Sequence, residues 1–129
     1  MLATGIKGYQ EFVVSPEDTA KAHKSGTLNV LATPVMVALM EETAWKSVER
    51  ELGEGFGTVG IALHMNHMEP TPVGMKVWCE SKLDGVKGRK LVFTVTVYDE
   101  TGKVGEGMHE RYVVEEEKFQ IKADKKKEK

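Results

Sequence analysis

Residues 33–52 read TPVMVALMEETAWKSVEREL. Met36, Met40, Ala44, Val48 and Leu52 recur four residues apart and make one apolar stripe on a helix. Thr33-Pro34 offers a capping hydroxyl followed by proline at the first helical position, and Gly53 offers a C-terminal stop. The spacing therefore predicts a helix over Thr33–Leu52. Val35, Leu39 and Trp45 lie off the main stripe, so the helix is expected to be wrapped rather than laid on a surface. One residue breaks the pattern. Glu41 has Val37, Ala44, Trp45 and Val48 as its helical neighbours, and none is charged. Glu42, by contrast, has Lys46 one turn on and reads as an ordinary solvated pair. A carboxylate against apolar surface carries a desolvation cost, so Glu41 needs either a chemical task or a partner from elsewhere in the chain.

Working outward, Lys7–Val14 carries Tyr9, Phe12, Val13 and Val14 and reads as a first strand ended by Ser15-Pro16. A short helix over Pro16–Ala22 and a polar loop centred on Ser25-Gly26-Thr27 lead to the long helix. Beyond it, Thr58–Asn66, Gly74–Leu83, Lys90–Asp99 and Val104–Glu116 read as strands. Asp84-Gly85 and Lys87-Gly88-Arg89 mark one turn, and Asp99-Glu100-Thr101-Gly102 marks a hairpin. Phe93, Val95 and Val97 alternate with Thr94, Thr96 and Tyr98, so one strand face is more polar. One strand, a helix and four serial strands favour an α+β architecture: an antiparallel sheet with one long helix against it. A single helix cannot cover both faces of a curled sheet, so a dimer is expected.

The 129 residues suit one domain, and a net charge of −2 makes no electrostatic case for nucleic acid. The single cysteine, Cys79, excludes an internal disulfide, suits a reducing compartment and reads as a small hydrophobe on a strand. The N-terminus lacks a basic region followed by an apolar run, and Pro34–Met40 falls well short of the ~20 residues that span a bilayer. A cytoplasmic protein is expected. Residues 1–120 are read as the domain, and the charged residues 121–129 as a solvated, partly disordered end rather than a basic contact arm.

Gly55-Phe56-Gly57-Thr58-Val59-Gly60 matches G-x-G-x-x-G, but a helix precedes it and a strand follows, the reverse of a dinucleotide site. These glycines are read as a turn out of the helix, with Gly60 allowing close approach of a ligand to the strand backbone. His64 and His67 lie three apart on a strand, hence on opposite faces, and cannot share an ion; His109 has no deciding local partner. No metal site and no cofactor are expected. His67 is better placed for chemistry, because Pro70 and Pro72 stiffen the chain that follows it, although a strand-end histidine is more often structural. No G-x-S-x-G elbow is present.

The run Leu31–Glu42 resembles the helix segment of the hotdog-fold thioesterases, most closely the branch that includes fluoroacetyl-CoA thioesterase. His67–Gly74, Gly88–Phe93, Gly105–Arg111 and Phe119 are similar, in order and in spacing, to that branch's later motifs. The resemblance implies a hotdog fold, one long central helix wrapped by a curved antiparallel sheet, paired into a dimer with its site at the subunit interface. It implies catalytic roles for Thr33, Glu41 and His67, and substrate contacts for Gly60 and Arg111. One departure stands out: Thr19–Val30, which borders the acyl pocket in that branch, holds no aromatic residue, so the fluorinated substrate is not implied.

Hydrolysis of a small acyl-CoA by a homodimer is thus the expected function, with Glu41 as nucleophile or general base, His67 as proton shuttle, Thr33 orienting Glu41 or the substrate, and the Gly60 amide as oxyanion donor. The alternative is a non-catalytic module that holds an acyl-CoA as sensor or carrier; sustained thiol release separates the two. An inert assembly domain, with Glu41 satisfied by Arg111, would leave the other matching polar positions unexplained.

Overall fold

Residues 2–128 are described by a computed structural model of the chain. Helix α1 spans Thr33–Val48 and buries Met36, Leu39, Met40, Thr43, Ala44 and Val48, the expected stripe with Leu39 and Thr43 added. Truncating one such side chain, Met40 for instance, costs about 2–5 kcal/mol in a packed core. The strands are β1 (Lys7–Val13), β2 (Phe56–His67), β3 (Lys76–Lys87), β4 (Lys90–Asp99) and β5 (Gly102–Glu115). They form one antiparallel sheet in the order β1-β3-β4-β5-β2, and all five contact α1.

The core lies between α1 and the sheet. Period-two alternation sends Val77, Cys79 and Leu83 of β3 and Leu91, Phe93, Val95 and Val97 of β4 inward, all fully buried. Burial pushes the Cys79 thiol up to about 11, which keeps it protonated and inert. The sheet covers one side of α1; Ala38 is exposed on the other, and Val35, Val37 and Trp45 are only half-buried. No helix among the described residues is long and apolar enough to cross a membrane.

Several local expectations change. Thr33 is the first helical residue, not the cap: Ala32 caps with no side-chain bond, which frees the Thr33 hydroxyl. The α-helix ends at Val48 and tightens into a 3₁₀ turn at Glu49–Glu51 before Gly53 is reached. The expected helix after Ser15 shrinks to a 3₁₀ turn at Pro16–Asp18, closed by Asp18 bonding back to Ser15. Asp84-Gly85 does not turn the chain; it is a bulge inside β3, and the turn is left to Gly88, whose φ of +61° favours glycine. The charged end is helical, as α2 (Glu116–Asp124) and a 3₁₀ turn at Lys125–Glu128, with every residue exposed.

Candidate active site

Two polar clusters lie along the open side of α1. The first joins the start of the helix to the end of β2. Thr33 Oγ1 lies 2.7 Å from Nδ1 of His67, the last residue of β2. The loop after His67 is pinned to the residues just before α1, because the Leu31 amide donates to the Thr71 carbonyl at 2.8 Å. Thr71 is itself fixed, its hydroxyl donating to Asp99 Oδ2 at 2.7 Å. Burial pushes the Asp99 carboxyl up, but hydrogen bonds from Thr101, Thr71 and Gly102 outweigh it and hold the group below the usual range. The His67 ring is half-buried, and this burial pulls its pKa down despite the opposing Glu69 backbone carbonyl. His67 Nε2 is buried and finds no hydrogen-bond partner among the described residues. A cleft beside the pair is lined by Ala20, Ser25, Val30 and Leu31.

The second cluster surrounds Glu41. Its carboxylate has the partner that its helical neighbours lack: Arg111 Nη1, 3.8 Å away, with the Arg111 side chain 7% and the Glu41 side chain 44% exposed. Glu41 is therefore less enclosed than its apolar neighbours suggest. Arg111 is firmly held. It donates from Nε to Thr58 Oγ1 at 2.8 Å, from Nη2 to the Thr58 carbonyl at 3.0 Å, and from Nη1 to His109 Nε2 at 3.1 Å. Gly60 sits directly across the ladder from Arg111, at a bulge whose extra residue is Ile61. A Cβ on Gly60 would lie 2.7 Å from Glu41 Oε2, so only glycine lets this carboxylate rest against the strand. The group lying against Gly60 is Glu41, where a ligand was expected.

The structure thus brings Thr33 to His67 and Glu41 to Gly60 and Arg111. The two groups stand about 12 Å apart along the helix, from eight residues of rise. Among the described residues no hydrogen bond or ion pair joins Glu41 to His67. Thr58 and the role of His109 were not legible from spacing; the signal was the alternation on β5, which puts His109 and Arg111 on one face with Thr58 diagonally opposite on β2. No group of three or more metal-ligating side chains occurs among the described residues.

A single long helix packed on a five-stranded antiparallel sheet is the architecture of the hotdog-fold thioesterases. The chain belongs to the fluoroacetyl-CoA-specific thioesterase (FlK) family, whose model matches residues 14–117. It is 32% identical to the fluoroacetyl-CoA thioesterase of Streptantibioticus cattleyicolor, over 97% of this chain and 94% of that protein. A crystal structure of FlK superposes with a TM-score of 0.92 at 32% identity, covering 98% of each chain. A Thermus thermophilus member of the thioesterase superfamily superposes with a TM-score of 0.91 at 27% identity, covering 99% of this chain and 95% of that one.

Proposed function

We propose that this chain hydrolyses the thioester of a small acyl-CoA, with Glu41 driving the attack on the carbonyl carbon. The class, thioester hydrolase, follows from family membership, and solved relatives include FlK with acetyl-CoA and with fluoroacetate and CoA. The observation that carries the assignment to Glu41 is its carboxylate lying against the Gly60 backbone beside Arg111. There it can take a proton from water, or add directly to the carbonyl, while the Gly60 amide steadies the developing oxyanion. Within one protomer His67 lies in the other cluster, so dimerisation must bring a His67 to the thioester; neutral at rest, it relays a proton from water to the departing thiolate, and acyl-CoA and water give the free acid and CoA.

The Thr33–His67 contact supports a second reading. A hydroxyl 2.7 Å from an imidazole nitrogen is the arrangement of an activated oxygen nucleophile, and Thr33 is exposed to substrate. On that reading Thr33 carries the acyl group, and a Glu41 that dimerisation brings to it activates the water that releases it.

Residues 1–120 form the catalytic domain in this proposal, and a homodimer is its working unit. Edge strand β2 is 12 residues long, offers an unpaired row of backbone groups, and ends at His67, beside Thr33. Ile61 at the bulge is 51% and Met68 45% exposed, so a second copy docking along β2 would cover them and enclose both clusters. A lone, buried cysteine agrees with a cytoplasmic setting. The fluorinated substrate of the relative is not carried over, because the loop beside Thr33 contributes Ala20, Ser25 and Val30 to the cleft and no aromatic ring. Thiol release measured across acyl-CoAs of increasing length tests the proposal: sustained turnover favouring short acyl groups is expected, and saturable binding without thiol release on the whole panel overturns it.

A further inference from the structure

His109 is the polar group at this site that the reaction as described does not use. It is 1% exposed, although a buried imidazole is costly unless both nitrogens are satisfied. Both are. Arg111 can only donate, so His109 Nε2 must accept from it at 3.1 Å. The proton then resides on Nδ1, which donates to the Ala62 carbonyl at 2.8 Å. Ala62 immediately follows the β2 bulge that carries Gly60 and Ile61. One neutral ring therefore ties the guanidinium beside Glu41 to the strand segment on which Glu41 rests.

We propose that His109 is a positioning residue whose neutral Nδ1–H form locks Arg111 and Gly60 around Glu41, and whose protonation unlocks them and switches the site off in acid. An imidazolium donates from both nitrogens, so its Nε2–H would face an Arg111 N–H donor, with two positive charges in contact. That contact cannot persist: protonation of the ring breaks the Arg111 Nη1–His109 Nε2 bond and leaves the guanidinium held by Thr58 alone. The charged groups around the ring are Arg111 and Glu110 of β5 and Glu41 of α1; β4 offers only the Phe93 ring, tilted against it. Burial and the Arg111 charge favour the neutral ring, and they prevail over Glu41, Glu110 and the Ala62 carbonyl. This inference rests on the role proposed for Glu41.

Two measurements on the full chain test it. In the wild-type protein, nitrogen NMR of the imidazoles is expected to show His109 as the Nδ1–H tautomer at neutral pH. The Arg111 guanidinium resonances should shift with the same midpoint as the ring titrates. An Nε2–H tautomer, or Arg111 resonances that ignore the titration, overturns the proposal, and neither readout requires turnover. Kinetically, His109→Gln can still accept from Arg111 and donate to Ala62 but cannot titrate. It is expected to keep kcat at neutral pH and to lose part of the acid-side fall in activity. His109→Leu is expected to lower kcat by about 10²-fold, the scale of a misplaced catalytic group. A pH profile for His109→Gln superimposable on wild type overturns the switch even where Glu41→Gln has verified the hydrolase reading.

Discussion

Gly60→Ala separates the site from the fold. The added methyl would lie 2.7 Å from Glu41 Oε2, with Arg111 Nη1 at 3.3 Å and His109 Cε1 at 3.4 Å on its other sides. The guanidinium and the imidazole are hydrogen-bonded in place, so the carboxylate is the group that yields. To reach ordinary contact it must retreat by roughly 0.7 Å. The backbone tolerates the change, because Gly60 is not among the glycines with positive φ. Stability should hold as well: the Glu41 side chain is 44% exposed, and moving it leaves a cost within about 1 kcal/mol. Catalysis should not hold, since a displacement approaching 1 Å at a reacting group costs about 10–10²-fold in rate. The assay pairs thiol release from the best acyl-CoA with a thermal melt. The expected result is kcat down by that factor with Tm moved by less than about 4 °C. A variant with kcat within twofold of wild type would show that the carboxylate does not work from its place on the strand.

Thr33→Val removes the hydroxyl at His67 Nδ1. If Thr33 only orients the ring, kcat should fall by about 10–10²-fold; if it is the nucleophile, turnover should be abolished, and steady-state thiol release tells the two apart. Burial holds both His67 and His109 below their usual range, so the neutral rings should persist as pH falls through 6.5. The acid limb of kcat/KM is therefore expected below that value, and a midpoint above 6.5 would contradict the burial argument. Ile61→Lys places a charge on the exposed edge of β2 and should yield monomers by light scattering with activity lost in parallel; an active monomer would refute the dimeric site.

The fold was readable because two periodicities are clean. The four-residue recurrence from Met36 to Val48 located the helix, and the alternation at Phe93, Val95 and Val97 located a half-buried strand. Boundaries failed where tertiary bonding overrode a local signal. Thr33 looks like a cap, yet its hydroxyl bonds a histidine 34 positions away. Asp84-Gly85 looks like a turn, yet it is absorbed as a bulge because β3 continues its pairing with β4 beyond it. Glu41 was conspicuous for want of a helical partner, but the partner comes from β5 and could be named only through family resemblance. Thr58 and His109 carry no local signature; they matter because the β2–β5 register sets them around Arg111.

The chemistry proposed here stands or falls with one carboxylate. Glu41→Gln keeps the shape of the side chain and removes its charge and basicity, and Glu41 is exposed enough that the fold should tolerate the change. General-base or nucleophilic assistance is worth about 10²–10⁴-fold, so kcat of the variant on the best acyl-CoA should fall within that range while the melt is unchanged. Glu41→Gln turning over that substrate at the wild-type rate would contradict the account.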